Sequence, residues 1–533
     1  MDADMEAGSG LTRRIFFEKL AKVGGLGLAM AGMEALGFGF SSAMAAPPRL
    51  TGGAKGTKVV IIGAGHAGMT SAYELEKAGY KVEVLEPRDI VGGRCQTARK
   101  GVKQTDLLGN TQICDFDEGE YINCGPWRIP YHHLSTLHYT KLFGVQLESF
   151  VNDNDAGYML FEKTKGALAG KPVRKGKIAA DMGGYTSEIV AKAASKGNLD
   201  AFISGEDKQT FIEYMISYGY LSPKDLSYTG TDGRGYDVLP GAGTDPGPGV
   251  VSKPFAFHDV LSSQTWRLLN SVTEFDQQRT MLQPVGGMDH IAMGFGRAAG
   301  HLVKFGATVK KVEQSPTGVA VSYVDKAGQP HTTTADYCIC TIPISVLKNI
   351  DMPFSAPFKA AMTQVAYTPV NKIGLQMKRR FWEEDHMIYG GHVYIDDPAI
   401  NLISLPSTNW QGQKGTLLGY YAFGADAVRF SVKKPAERAA YAVAAGQKIF
   451  PQFAECFETS FSKSWHLDEH NLGGWAEWSP ESRASAYPVL CQPEGRVYLA
   501  GEHLSYIGGW QAGAIESAWQ QIGRLHARVQ KQA

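Results

Sequence analysis

The chain has 533 residues, and its 53 Lys+Arg are matched by 53 Asp+Glu, so the formal net charge is zero. That balance excludes a nucleic-acid backbone binder, which shows a basic excess. With 44% hydrophobic and 20% charged residues the chain is not mainly disordered. Length alone allows two large domains or about three ordinary ones. Seven cysteines are too few to scaffold such a chain, and the odd number leaves at least one thiol free if the others pair. The 62 glycines show no collagen period, so they point to tight turns and close backbone–ligand approaches.

Residues 1–45 read as an export segment rather than as fold. Arg13-Arg14 lies in Thr12-Arg13-Arg14-Ile15-Phe16-Phe17, a Gly- and Ala-rich apolar stretch follows, and Ser42-Ala43-Met44-Ala45-Ala46-Pro47 offers a small-residue cleavage site. These are the parts of a twin-arginine signal, with cleavage near Ala45 and a periplasmic or secreted destination. An uncleaved anchor is the alternative. The apolar stretch is a poor membrane span, and no other run of that length is apolar throughout, so no stable membrane insertion is expected. Residues 46–56 read as a Pro/Gly/Lys linker.

The next segment is a β-α-β unit. Lys58 to Ile62 is a short apolar run, Gly63-Ala64-Gly65-His66-Ala67-Gly68 follows, a helical pattern runs to Ala78, and Lys81 to Leu85 reads as a second strand ending at Glu86. Each glycine has a job: Gly63 permits the turn, Gly65 lets the backbone approach a pyrophosphate, and Gly68 lets helix and strand pack closely. The pyrophosphate would sit on the helix N-terminus, and Glu86 would take ribose hydroxyls. A βα turn without a ligand is the competing reading. Beyond Glu86, Gly92-Gly93-Arg94 resembles the second pyrophosphate loop of flavoproteins, a feature that nicotinamide dehydrogenases lack.

Residues 151–280 lack a strand rhythm and carry helical patches such as Thr210 to Tyr218, so they read as a helical insert. Within them Thr229 to Gly249 is a Gly/Pro-rich loop long enough to be functional or mobile. From Thr308 the pattern turns to β, with Val319, Val321 and Tyr323 alternating after a turn. Tyr337 to Ile342 reads as a buried strand on which Cys338 and Cys340 pack. Residues 365–430 look strand-rich. The chain ends with a strand, Arg496 to Ala500, then Gly501-Glu502, then a helix with the apolar stripe Ile515, Ala518, Ile522, Leu525 and Val529. The strand and its Gly-Glu pair resemble a second motif of flavoproteins, which implies that the helix from near Gly509 would turn its positive end toward a flavin.

Together these segments resemble the flavin amine oxidase superfamily and, within it, the L-amino-acid oxidases. The resemblance is carried by Val59 to Arg94, Gly125-Pro126-Trp127-Arg128-Ile129-Pro130, Pro284-Val285-Gly286-Gly287-Met288-Asp289, Ala335 to Pro343, Phe381-Trp382, and Gly501 to Ala518. Its most specific part is Ala500-Gly501-Glu502-His503 with Gly508-Gly509-Trp510-Gln511-Ala512-Gly513-Ala514 behind it. It implies an α+β and α/β fold: a Rossmann-like FAD-binding domain (57–150, 281–345 and 471–533), a mixed-sheet substrate domain (346–470) and the insert (151–280) shaping the entrance. The implied cofactor is FAD, contacted by Gly63, Gly65, Gly68, Glu86, Gly93, Arg94, Val309, Gly501 and Glu502. The implied reaction takes an L-amino acid and O2 to a 2-oxo acid, ammonia and hydrogen peroxide, by hydride transfer to flavin N5.

By the same resemblance, Arg128 pairs with the substrate α-carboxylate; a guanidinium forks onto it bidentately. Neutralising the pyrophosphate or bridging strands are its other readings. Relatives often place a Tyr before the Pro that matches Pro406, where this chain has Leu405. Lys372 matches a lysine that holds a water at flavin N5, against a surface strand lysine. Trp475 and Trp510, with Gly509 beside them, match the aromatic walls of the substrate cavity, against core packing. Gly474 stands where monoamine oxidases carry the Cys that attaches FAD, so the flavin is expected to be non-covalent. A nucleophile or metal is not expected, and His132, His133 and His138 read as loop or cap residues. Competing activities are a decarboxylating monooxygenase, a monoamine oxidase, a dehydrogenase serving a periplasmic carrier, and a flavin protein that only binds. The resemblance leaves a homodimer open.

Overall fold

A computed structural model describes residues 46–54, 56–271 and 274–531. The export segment read at 1–45 lies outside the described residues. Among them, no helix is long and apolar enough to cross a membrane.

Two sheets organise the chain. The first is fully parallel and five-stranded, in the order Val303–Phe305, Lys81–Glu86, Lys58–Ile62, Tyr337–Cys340, Val497–Leu499. Its central strand is Lys-Val-Val-Ile-Ile, apolar on both faces, as a parallel strand covered on both sides must be. Val59 and Ile61 face a core shared with the helices His66–Lys77, His290–Ala299 and Gln511–Lys531. Val60 and Ile62 face the opposite core, under the antiparallel sheet Thr308–Gln314, Val319–Val324, Pro330–Ala335. The stripe read in the last helix is buried at all five positions, and Val319, Val321 and Tyr323 alternate inward as expected.

The second sheet is mixed and seven-stranded: Phe457–Ser464, Val370–Met377, Gly415–Phe423, Leu402–Leu405, Gly391–Ile395, Tyr158–Leu160, Val173–Arg174. Its last two strands come from the stretch read as a helical insert. They are two and three residues long, too short to leave a period-2 signature in sequence. The insert's α-helices are Lys175–Ser195, Lys208–Gly219 and Phe257–Ser263.

The Gly/Pro loop read at 229–249 is pinned at its start. Arg234 is fully buried and grips the equally buried Asp181 through Nε and Nη2. Its Nη1 donates to the Ser252 carbonyl at 2.8 Å, closing the loop's two ends around one guanidinium. The segment read as a linker is docked too. The His526 Nε2–H donates to the Thr51 carbonyl at 2.7 Å, and Gln530 donates to the Gly53 carbonyl at 2.7 Å.

Candidate functional site

One cavity of about 720 Å³ runs between the two sheets, within the size range of small-molecule sites. Its first end is the β-α-β turn. Gly63 has φ +100°, a conformation that side-chain-bearing residues rarely adopt. A Cβ on Gly68 would fall 1.9 Å from the Gly63 carbonyl oxygen, so Gly68 serves helix–strand packing and does not line the cavity. Gly65 and Gly93 bring two backbones together: a Cβ on Gly93 would stand 3.1 Å from the Gly65 Cα. Glu86 ends its strand buried, with Oε2 accepting from the Ala64 N–H at 2.8 Å and Oε1 from Arg88 at 3.1 Å. A carboxylate has about four lone-pair directions, and the Ala64 N–H and two Arg88 donors occupy three of them, so a hydroxyl can still be bound there. Val309 lines the same end.

The far end comes from the C-terminus. Glu502 is buried; Oε1 accepts from the Gly509 N–H at 2.9 Å and Oε2 from Arg94 at 3.3 Å. Arg94 Nη1 also donates to the Gly474 carbonyl at 2.7 Å. One arginine therefore ties the second glycine loop to both C-terminal motifs, with Gly501 beside it on the wall. Gly509 has φ +77° and lies flat on Trp475, which a Cβ there would meet at 3.7 Å. The residues present fit a dinucleotide: two glycine loops without Cβ atoms, an acid at a strand end, and a helix N-terminus at Gln511.

The middle of the cavity holds the candidate chemistry. Lys372 lies in a strand buried at all eight positions. Antiparallel register places Tyr421 directly opposite it, so the ammonium sits 4.3 Å from the Tyr421 ring centroid and 5.4 Å from that of Trp127. Nζ donates to the Gly125 carbonyl. Burial pulls its pKa down to about 7, and the Arg128 charge lowers it further than burial alone would. The reading of Lys372 as a surface lysine is thereby excluded; it is 2% exposed.

Arg128 projects from the loop before Ile129, which bridges to Leu282. Its guanidinium lies within 6 Å of three ring centroids: Trp127 at 5.1 Å, Trp510 at 5.8 Å and Phe150 at 5.9 Å. Nη2 donates to Gln277 Oε1 at 2.8 Å, and the buried Nε has no hydrogen-bond partner. Among the described residues no carboxylate forms an ion pair with it. Burial lowers its proton affinity, and Tyr421 and Tyr394 counter that in part. Trp475 and Trp510 both line the cavity, and the Trp475 indole N–H donates to Glu477 at 2.6 Å.

Leu405 is buried in the apolar core of the seven-stranded sheet and is absent from this cavity's wall. Sequence reasoning missed Tyr421 and Gln277, and it quoted Trp127 in the motif around Arg128 without giving it a role. Tyr421 is found only through strand register, and Gln277 comes from a stretch with no periodic signal. His132 and His133 are brought together with Asp276, not with His138.

The chain belongs to the flavin-containing amine oxidoreductase family, whose model matches residues 66–521. Membership implies a flavin cofactor. Among curated relatives, the chain is 29% identical over 479 residues to an L-amino-acid oxidase of Protobothrops flavoviridis, covering 86% of each chain. It is 28% identical over 497 residues to an L-amino-acid oxidase of Demansia vestigiata, covering 89% of this chain and 87% of that one. Among solved structures, putrescine oxidase superposes with TM-score 0.57 at 17% identity, over 89% of this chain and 99% of the other. Cyclohexylamine oxidase from Brevibacterium oxydans does so with TM-score 0.57 at 17% identity, over 90% and 99%. These structural likenesses establish the flavin oxidase fold.

Proposed function

We propose that the protein is an FAD-dependent oxidase of L-amino acids, yielding a 2-oxo acid, ammonia and hydrogen peroxide. The observation that carries this reading is Arg128: a half-buried guanidinium on the cavity wall with a buried, free Nε, a neutral amide as its partner and, among the described residues, no carboxylate paired with it. A buried charge needs a counter-charge, and a substrate carboxylate supplies one. Bound FAD would accept the hydride and pass the electrons to O2.

The chain's own residues do the rest. Arg128 holds the carboxylate, and the aromatic rings around it exclude water and strengthen that contact. Tyr421 stands on the same wall and takes the role of second polar contact that Leu405 cannot fill. Trp475 and Trp510 confine the substrate side chain and amine. Lys372, with a pKa near 7, can hold a water or move a proton at Nζ while anchored to Gly125. Glu86, Arg94 and Glu502 hold the cofactor's polar groups. The flavin is non-covalent: a Cβ on Gly474 would lie 2.4 Å from Val370 Cγ2, so that position cannot carry an attachment cysteine without displacing Val370. Export by the twin-arginine route, which carries folded proteins, suits a chain that must first enclose a cofactor.

The test compares an L-amino acid with its decarboxylated amine in wild type and Arg128→Ala, following peroxide. Losing a desolvated charge pair costs about 2–5 kcal/mol, or tens to thousands of fold in kcat/KM. Wild type should prefer the acid strongly, and the variant should lose that preference. A wild-type enzyme that oxidises the plain amine equally well would refute the amino-acid reading.

A further inference from the structure

His132 and His133 meet Asp276 across more than a hundred residues of chain. The His132 Nε2 lies 2.7 Å from Asp276 Oδ1, and the His133 Nε2 lies 3.8 Å from the same oxygen. One ligand atom from each residue falls within 4.8 Å of the others. His133 is 2% exposed, yet its Nε2 has no hydrogen-bond partner, and neither does the Nδ1 of His132. Buried polar atoms are rarely left so.

Two imidazoles and a carboxylate are the ligand set of first-row transition-metal dications, zinc among them. Zinc takes nitrogen and oxygen at about 2.0–2.2 Å, which places tetrahedral ligands about 3.4 Å apart. The two separations seen here bracket that value, so small side-chain movements complete the geometry. Asp276 is 43% exposed, which leaves the remaining position open to water.

We propose that His132, His133 and Asp276 form a binding site for a transition-metal dication that restrains the neighbouring cavity. The connection is short. Asp276 precedes Gln277, which accepts the hydrogen bond from Arg128. His133 packs edge-on against Trp510 with centroids 5.1 Å apart. A metal that fixes Asp276 holds Gln277 on Arg128, so an incoming carboxylate must displace a partner that has become harder to move. The metal therefore inhibits by raising KM more than it lowers kcat. Binding itself stands apart from the proposed function; only the KM effect rests on that reading.

The experiment titrates Zn2+ into untagged, flavin-loaded enzyme by calorimetry and measures retained zinc by elemental analysis. Wild type should bind one Zn2+ per chain. Asp276→Asn and His133→Gln should each weaken binding at least tenfold, with flavin content confirming that each variant is folded. At buffered free zinc, the wild-type KM for an L-amino acid should rise severalfold and recover with chelator, while Asp276→Asn shows no zinc response. Absence of bound zinc, or equal affinity in both variants, overturns the site. Stoichiometric binding with an unchanged KM overturns the restraint.

Discussion

Lys372 should cost the protein stability at neutral pH, and removing its charge should return it. The ammonium is buried, and its pKa falls from 10.5 to about 7. At about 1.4 kcal/mol per tenfold change in proton affinity, burying it at pH 7 costs about 4 kcal/mol. Lys372→Met keeps the unbranched side chain, one atom shorter, and removes the charge. It also leaves the Gly125 carbonyl without its donor, a loss of about 1 kcal/mol. The net gain is about 3 kcal/mol at pH 7. The sign with pH follows from linkage. Between pH 7 and 10.5 the unfolded chain binds the Lys372 proton and the folded chain does not, so wild-type stability rises with pH. By pH 10 the advantage of the variant should fall to about zero. Denaturant unfolding of both proteins at the two pH values measures this, and stopped-flow reoxidation by O2 should be slower in the same variant. A Lys372→Met protein no more stable than wild type at pH 7, or one whose advantage grows with pH, would refute the reasoning.

Heat or acid should release the flavin into the supernatant, and flavin retained on the precipitated polypeptide would contradict a non-covalent cofactor. Asp181→Ala leaves the buried Arg234 unpaired, which should destabilise the insert by about 3–5 kcal/mol; limited proteolysis near residues 229–249 should then cut far faster than in wild type. Replacing Arg13 and Arg14 together by Lys should leave flavin-loaded precursor in the cytoplasm, and normal export would dismiss the twin-arginine reading.

What the sequence made legible is what local spacing determines. The turn from Gly63 to Gly68, Glu86 at its strand end and the stripe from Ile515 to Val529 each follow from periodicity or from the sterics of one turn. The walls of the cavity depend on register and on contacts distant in sequence. Tyr421 faces Lys372 because two strands align residue for residue, and nothing in Gly415–Phe423 marks it apart from Tyr420, which points to the opposite side and bonds Asn371. Gln277 and Asp276 lie in a stretch without helix or strand period, so their closeness to Arg128 and to the paired histidines emerges only in three dimensions. The histidine pair was read from its neighbours in sequence, and those neighbours do not include the carboxylate that gives the cluster its chemistry.

The parallel sheet draws its strands from three distant parts of the chain, with Val497–Leu499 completing the edge beside Tyr337–Cys340. This arrangement fixes when the cofactor can be captured. The first glycine loop, at Gly63 to Gly68, leaves the ribosome long before Gly501, Glu502 and the helix Gln511–Lys531 behind them. Contacts of such long sequence separation form late and slowly. A nascent chain therefore carries half a binding site until Gly501, Glu502 and the helix Gln511–Lys531 have emerged, and flavin loading has to wait for them. Truncation before Val497 should yield an apoprotein rather than a weakened holoenzyme.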